Sequence, residues 1–196
     1  NLGVCHLDVV YANFGLQNGL LVFGVVVLGV LGDVAELASD LDALADFGAV
    51  FGRMEQLTVG ETSVRIVLVK NPAGCDRALE FLASQSEDVL PIFCLNDNAA
   101  DGTDVSWIWD ADYESLLAVR RYESIGVYGV RAQDMRLRLK YAGADDAAIT
   151  VYDTADDLAA AVQKAGKPVV LLPNYTSMLT VRDKLSALAG GGRFWE

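Results

Sequence analysis

The stretch LNDNAADGTDVSWIWDADYE, residues 95–114, places Asp97, Asp101, Asp104, Asp110 and Asp112 around one glycine, Gly102, with no lysine or arginine among them. Trp107 and Trp109 follow two residues apart. Three kinds of chemistry fit. As a calcium loop starting at Asp97, it would use Asp101 at position 5 and Gly102 at position 6. Ala99 then leaves position 3 without an oxygen side chain, and Ile108 stands where a bidentate glutamate is needed. As a solvated acidic loop, Asp97, Asp101 and Asp112 carry no chemistry, and the tryptophans are core or interface packing. Read as a strand, Trp107 and Trp109 face the same side. As a functional site, one carboxylate beside aromatic walls orients a histidine or polarises a nucleophile. The single histidine, His6, offers no triad within this chain, so that histidine would arrive on another polypeptide.

Bulk composition narrows the classes. The 196 residues are 53% hydrophobic, enough for one sizeable core or one domain plus part of another. The net charge is −12, from 27 acidic and 15 basic residues, so neither nucleic acid nor an anionic lipid surface is a natural partner. Cys5, Cys75 and Cys94 are scattered and form no Cys-x-x-Cys pair, which argues against a disulfide framework or a zinc site and fits a reducing compartment. No basic residue precedes Arg53, so no secretory signal is expected. The apolar run Gly19–Gly32 is too short to cross about 30 Å of hydrocarbon at about 1.5 Å per residue. It reads as a buried helix. A chain opening on Asn rather than Met reads as a fragment lacking an upstream domain.

The elements that would position the acidic loop follow from periodicity. Residues 1–18 read as short strands and a loop, and a helix carries Leu37, Leu41 and Leu44 behind Asp33 and Glu36. GAVFGRMEQLTVGET is turn-rich and reads as a boundary. Strands and helices then alternate. VRIVLV, PIFCL, SIGVYGV, AAITVY and PVVLL are strands. Helices between them bury Ala78, Phe81 and Leu82; then Ala132, Met135, Leu139 and Ala142, with Arg136, Arg138 and Lys140 elsewhere; then Leu158, Ala161, Val162 and Ala165 behind a Thr154/Asp157 capping box. The last carries Met178, Val181, Leu185 and Leu188. Such alternation implies a mostly parallel sheet. Ligands then sit beyond the carboxyl ends of the strands, among KNPAG, NDNAADGTD, RAQD, YDTAD and PNYTS.

FGRME followed by LVKNPAG resembles the junction of central and C-terminal domains in Mur ligases. KNPAG, LNDNAADGTDVSWIWDADYE, GVRAQDMRLRLKYAG and LPNYTS, in that order, are similar to the MurT family, synthetase subunits of lipid II isoglutaminyl synthase. The resemblance runs from about Phe51 to Leu188. It implies an α/β fold: a Rossmann-like, mostly parallel sheet flanked by helices. Residues 1–50 would be the end of a Mur ligase central domain, 51–190 the MurT C-terminal domain and 191–196 a tail.

It also implies an ATP- and Mg²⁺-dependent ligase that amidates the D-glutamate α-carboxylate of lipid II, with ammonia from a GatD-type glutaminase in a heterodimer. Asp104 would complete the catalytic triad of that partner. Arg53 would lie near phosphate, and Asn71 and Asn18 near the nucleotide, while Lys70 reads as a solvated strand-end lysine. The setting would be cytoplasmic, at the inner membrane face through lipid II, with no transmembrane segment and no nucleic acid. The chain departs from the pattern in three respects. It has no Gly-x-x-x-x-Gly-Lys-Ser/Thr phosphate loop, it has no four-cysteine ribbon, and Gly15 stands where a first asparagine is expected before Asn18. A second reading, from another class, is a non-catalytic docking module that recruits a glutaminase. A free-standing dinucleotide binder would need a Gly-x-Gly-x-x-Gly after a strand, which is missing.

Overall fold

The computed structural model describes residues 53–189. The expectations for residues 1–50, including Asn18 and His6, and for the 191–196 tail lie outside them. Six strands form one sheet: β1 (Arg53–Val59), β2 (Thr62–Val67), β3 (Leu90–Cys94), β4 (Ile125–Tyr128), β5 (Ile149–Tyr152) and β6 (Val169–Pro173). Their spatial order is β1-β2-β6-β3-β4-β5. All neighbours pair in parallel except β1 and β2, which are antiparallel. The helices are α1 (Pro72–Ala83), α2 (Tyr113–Val119), α3 (Ala132–Tyr141), α4 (Ala155–Gln163) and α5 (Tyr175–Leu188).

The five strands read from periodicity are the five parallel ones, and the mostly parallel α/β sheet is as expected. The apolar runs of β3 and β6 are buried throughout because they lie in the middle of the sheet, covered on both faces. Strand alternation splits each run. Leu90, Ile92, Val169 and Leu171 join one core with Leu158 and Val162 of α4 and Met178, Val181 and Leu185 of α5. Phe93, Val170 and Leu172 join the other, with Ala78, Leu79 and Leu82 of α1, Leu116 of α2, and Met135 and Leu139 of α3. Three helices therefore cover one face and two the other. Adjacent strands β3 and β6 lead to helices on opposite faces, so the crevice at their carboxyl ends is the topological switch point.

Several expectations change. The segment read as a turn-rich boundary contains β1. Its inward positions are Glu55, Leu57 and Val59, and a charge at an inward position breaks the apolar alternation that marks a strand. Arg182 of α5 offsets that charge, donating from Nε to Glu55 at 2.7 and 2.9 Å. The hairpin closes through a two-residue turn with Gly60 at φ 62°. On α4, Ala159 rather than Ala161 is buried, and on α5 Leu188 is exposed while Ser177 is buried. The largest correction is Arg138, which belongs to the core face of α3.

Candidate functional site

The carboxyl ends of β2, β6, β3 and β4 bring four loops to one rim. At the β2 end, Asn71 caps α1, its Oδ1 accepting from the Gly74 N–H at 2.8 Å, and Pro72 takes the first helical position. The Lys70 ammonium stands 5.5 Å from the Tyr175 ring centroid, a cation–π distance. Arg53 opens β1 opposite Val67, at the same end. Met54 after it is a bulge residue at φ 85°, left-handed backbone that a non-glycine side chain adopts at a cost of roughly 1 kcal/mol or more.

At the switch point, Asn96 and Asn174 clasp one another. The Asn96 N–H donates to Asn174 Oδ1 at 3.1 Å, and Asn174 Nδ2 donates to Asn96 O at 2.7 Å. Both are buried, and the Asn174 side chain supplies the acceptor and the donor that the Asn96 backbone needs. Asn96 Oδ1 also accepts from the Val130 N–H at 2.9 Å, which ties in the β4 loop. The Thr176 hydroxyl accepts from Asn96 Nδ2 at 2.9 Å and Asn98 Nδ2 at 2.8 Å, and donates to Asp101 at 2.5 Å. Its one donor and two lone pairs are all used.

The acidic loop is thus sorted residue by residue. Asp97 pairs with Arg131 at 2.8 Å, so a basic residue does reach the loop, from 34 positions downstream. Asp101 bonds α5. Asp112 caps α2, accepting from the Ser115 N–H at 3.0 Å. Asp97 and Asp101 thus serve protein donors, which adds to the missing position-3 oxygen and position-12 carboxylate against a calcium loop. Ser106–Trp109 forms a 3₁₀ turn, not a strand, so Trp107 and Trp109 diverge. Trp107 packs against the core, whereas Trp109 is half exposed, with its ring 5.7 Å from that of Tyr141.

Asp104, like Asp110 and Asp112, is exposed and forms no ion pair among the described residues. It lines a shallow concavity of about 250 Å³ with Ser106, Trp109, Arg131 and Asp134. Its Oδ1 accepts from the Ser106 N–H at 2.8 Å, an Asx-type turn. That bond, and then the Ser106 hydroxyl, hold its carboxyl below the ordinary carboxylate range, so it stays ionised. An ionised carboxylate has about four lone-pair sites, which leaves room to accept an N–H from outside.

Arg138 was missed by sequence reading. Its side chain is 3% exposed. Nε donates to Ile108 O at 2.9 Å and Nη2 to Ala111 O at 2.7 Å, while Nη1 and Nη2 each reach a Glu114 oxygen at 2.7 Å. Its guanidinium lies 4.9 Å from the Tyr113 ring and 5.4 Å from that of Trp109. A signal existed: position 138 is three after Met135 and four before Ala142, on the stripe that faces the core.

The rim holds two places. Asp104 stands beside the β4 loop, and Lys70 with Asn71 stands after β2; the β6 loop lies between them in the strand order. Among the described residues no cluster of three His, Cys, Asp or Glu could hold a metal, and no helix is long and apolar enough to cross a membrane.

A six-stranded, mostly parallel sheet in this order defines a Mur-ligase-type C-terminal α/β domain. The MurC ligase of Thermotoga maritima superposes with a TM-score of 0.55 at 14% identity, covering 83% of this chain and 35% of its own. The MurF ligase of the same organism, solved with ADP, gives 0.51 at 16% identity, covering 85% of this chain and 36% of its own. At such identities the likeness is one of fold. The chain belongs to the MurT ligase C-terminal family, matched over residues 68–178, a stretch that holds Asn71, Asp104 and Arg138. It is similar to the MurT subunit of lipid II isoglutaminyl synthase (glutamine-hydrolyzing) of Staphylococcus aureus strain COL, 37% identical over 142 residues, 72% of this chain and 32% of that protein. The subunit of the same name from Streptococcus pneumoniae is 34% identical over 140 residues, 71% of this chain and 31% of its own. The chain spans about a third of the length of these relatives.

Proposed function

We propose that this chain is the C-terminal part of a synthetase subunit that amidates the D-glutamate α-carboxylate of lipid II, and that Asp104 completes the triad of a GatD-type glutaminase bound to it. The observation that carries this reading is Asp104 itself: an exposed carboxylate, held ionised by the Ser106 N–H, with no cation partner among the described residues. Asp97, Asp101 and Asp112 bond within the fold, and Asp110, exposed as well, is not among the residues lining the concavity beside Asp104. The names of the relatives, glutamine-hydrolyzing and subunit, supply the partner class.

In this reading the partner's imidazole donates one N–H to Asp104. That bond fixes the tautomer whose other nitrogen faces the partner's cysteine, and it stabilises the imidazolium formed when the thiol loses its proton. The ammonia released from glutamine is then consumed on the synthetase side. There ATP, when bound, supplies the phosphoryl group that activates the carboxylate. Lys70 and Asn71 are the side chains of the described part that would meet the nucleotide. Lys70 would offer its ammonium, and Asn71 its Nδ2, since Oδ1 is committed to the α1 cap. Mg²⁺ would be held largely by the nucleotide phosphates and water with one or two protein oxygens, and no cluster of three His, Cys, Asp or Glu stands among the described residues.

Asp104→Asn in the assembled complex tests the proposal. Glutamine hydrolysis should fall by about four orders of magnitude, the scale on which a triad loses its orienting carboxylate, while the complex still forms. Unchanged hydrolysis would favour the docking-module reading.

A further inference from the structure

Asp104 and Arg138 hold opposite ends of one turn. At the start of the Ser106–Trp109 turn, Asp104 accepts from the Ser106 N–H at 2.8 Å. At its far end, Arg138 donates to Ile108 O at 2.9 Å and to Ala111 O at 2.7 Å. Ile108 O has no helix to continue into and the guanidinium satisfies it, while Ala111 O accepts from both the guanidinium and the Tyr113 N–H. Arg138 is itself fixed in place by the fork to Glu114 and the rings of Tyr113 and Trp109. A guanidinium that is 3% exposed, with these acceptors filled, has one place to sit. Moving it would strip Ile108 O of its donor, leave Ala111 O with the Tyr113 N–H alone, and leave a charge in the core.

Packing alone does not call for arginine here. An apolar side chain would continue the stripe of Met135, Leu139 and Ala142. What arginine adds is a planar fork that bonds two carbonyls and a carboxylate at once, which lysine, a point charge, cannot do. The guanidinium therefore sets where the turn lies, and the turn sets where Asp104 points. We propose that Arg138 is the positioning residue for Asp104, holding its carboxylate at the place where the glutaminase imidazole must meet it. This rests on the reading of Asp104 as the third member of the partner's triad.

The test is a double-mutant cycle in the assembled complex, with Asp104→Asn, Arg138→Lys and the double variant. Arg138→Lys should lower glutaminase kcat roughly tenfold or more, as a displacement of about 1 Å can cost up to about 10²-fold. KM for glutamine should not change. In the Asp104→Asn background Arg138→Lys should have no further effect on kcat, because a residue acting through Asp104 has nothing left to position. The acid limb of the kcat/KM profile should move to lower pH in Arg138→Lys, as an imidazole deprived of its carboxylate loses protons more readily. Glu114→Gln weakens the fork but leaves the carbonyl bonds, and serves if Arg138→Lys does not assemble. It should show a smaller loss, again absent without Asp104. Equal losses in both backgrounds, or none in the wild type, would overturn the proposal. Full hydrolysis by Asp104→Asn would instead overturn the triad reading beneath it.

Discussion

Asp101 caps α5 from 75 residues upstream: its carboxylate accepts from the Thr176 N–H at 2.8 Å and from the Thr176 hydroxyl at 2.5 Å. The residue at the cap position, Asn174, caps no backbone N–H with its side chain, which is spent on Asn96 and on the Ser177 hydroxyl. The acidic loop and the start of α5 are therefore one unit. We expect Asp101→Ala to cost about 1 kcal/mol of stability, the usual worth of a helix cap. Urea unfolding measures it, and an unchanged midpoint would mean that the bond contributes nothing.

Gly129 cannot carry a side chain. It sits at φ 110°, and a Cβ there would lie 2.3 Å from Leu95 O and 2.7 Å from Asn96 Oδ1. Left-handed strain and a backbone collision combine at the point where the β4 loop meets the switch crevice. We expect Gly129→Ala to destabilise by about 3 kcal/mol or more. Denaturant titration of the soluble fraction checks this, and a wild-type midpoint would refute it.

Acid should destabilise the domain. Hydrogen bonds lower the carboxyls of Glu114 (from Arg138), Asp112 (from the Ser115 hydroxyl), Asp146 (from Arg136) and Asp104 (from the Ser106 N–H). Groups whose folded value lies below the unfolded one contribute stability above the unfolded values, about 3.9 for Asp and 4.3 for Glu. That contribution is lost as pH falls through the lower folded values. Relief of repulsion in a chain of charge −12 acts the other way. We expect the urea midpoint to hold between about pH 7 and 5 and to fall below about pH 4. A midpoint that rises on acidification would show that repulsion dominates.

Trp109, which lines the Asp104 concavity, forms an exposed aromatic pair with Tyr141, the two being 48% and 73% exposed. If the glutaminase docks over Asp104, these rings are its natural anchor, since large aromatics dominate interface energies. We expect Trp109→Ala to weaken assembly by about 2 kcal/mol. Titration calorimetry with the partner measures it. An unchanged affinity would place the interface elsewhere.

What could be read from residues alone was what neighbours in the chain encode. The Thr154/Asp157 capping box formed as expected, because both partners lie within one turn. Pro72 opened α1 for the same reason. β1 was hidden because Glu55 occupies an inward position that only Arg182, 127 residues on, makes tolerable. Arg138 was hidden because a charged letter on a helix reads as solvated until its acceptors are known. Asp104 could be singled out only by resemblance, since as a residue it looked like the aspartates beside it.

The sequence by itself determined the five parallel strands, most of the apolar stripe on four of the five helices and the rim where polar chemistry gathers, since apolar period and capping act over a few residues. Only the tertiary structure decided which of the clustered aspartates serve the fold. It brought Arg131 to Asp97, Thr176 to Asp101 and Arg138 to the far end of the Asp104 turn. Those pairings depend on which strands lie side by side, and strand order is set by packing across the whole core rather than by any local stretch of chain.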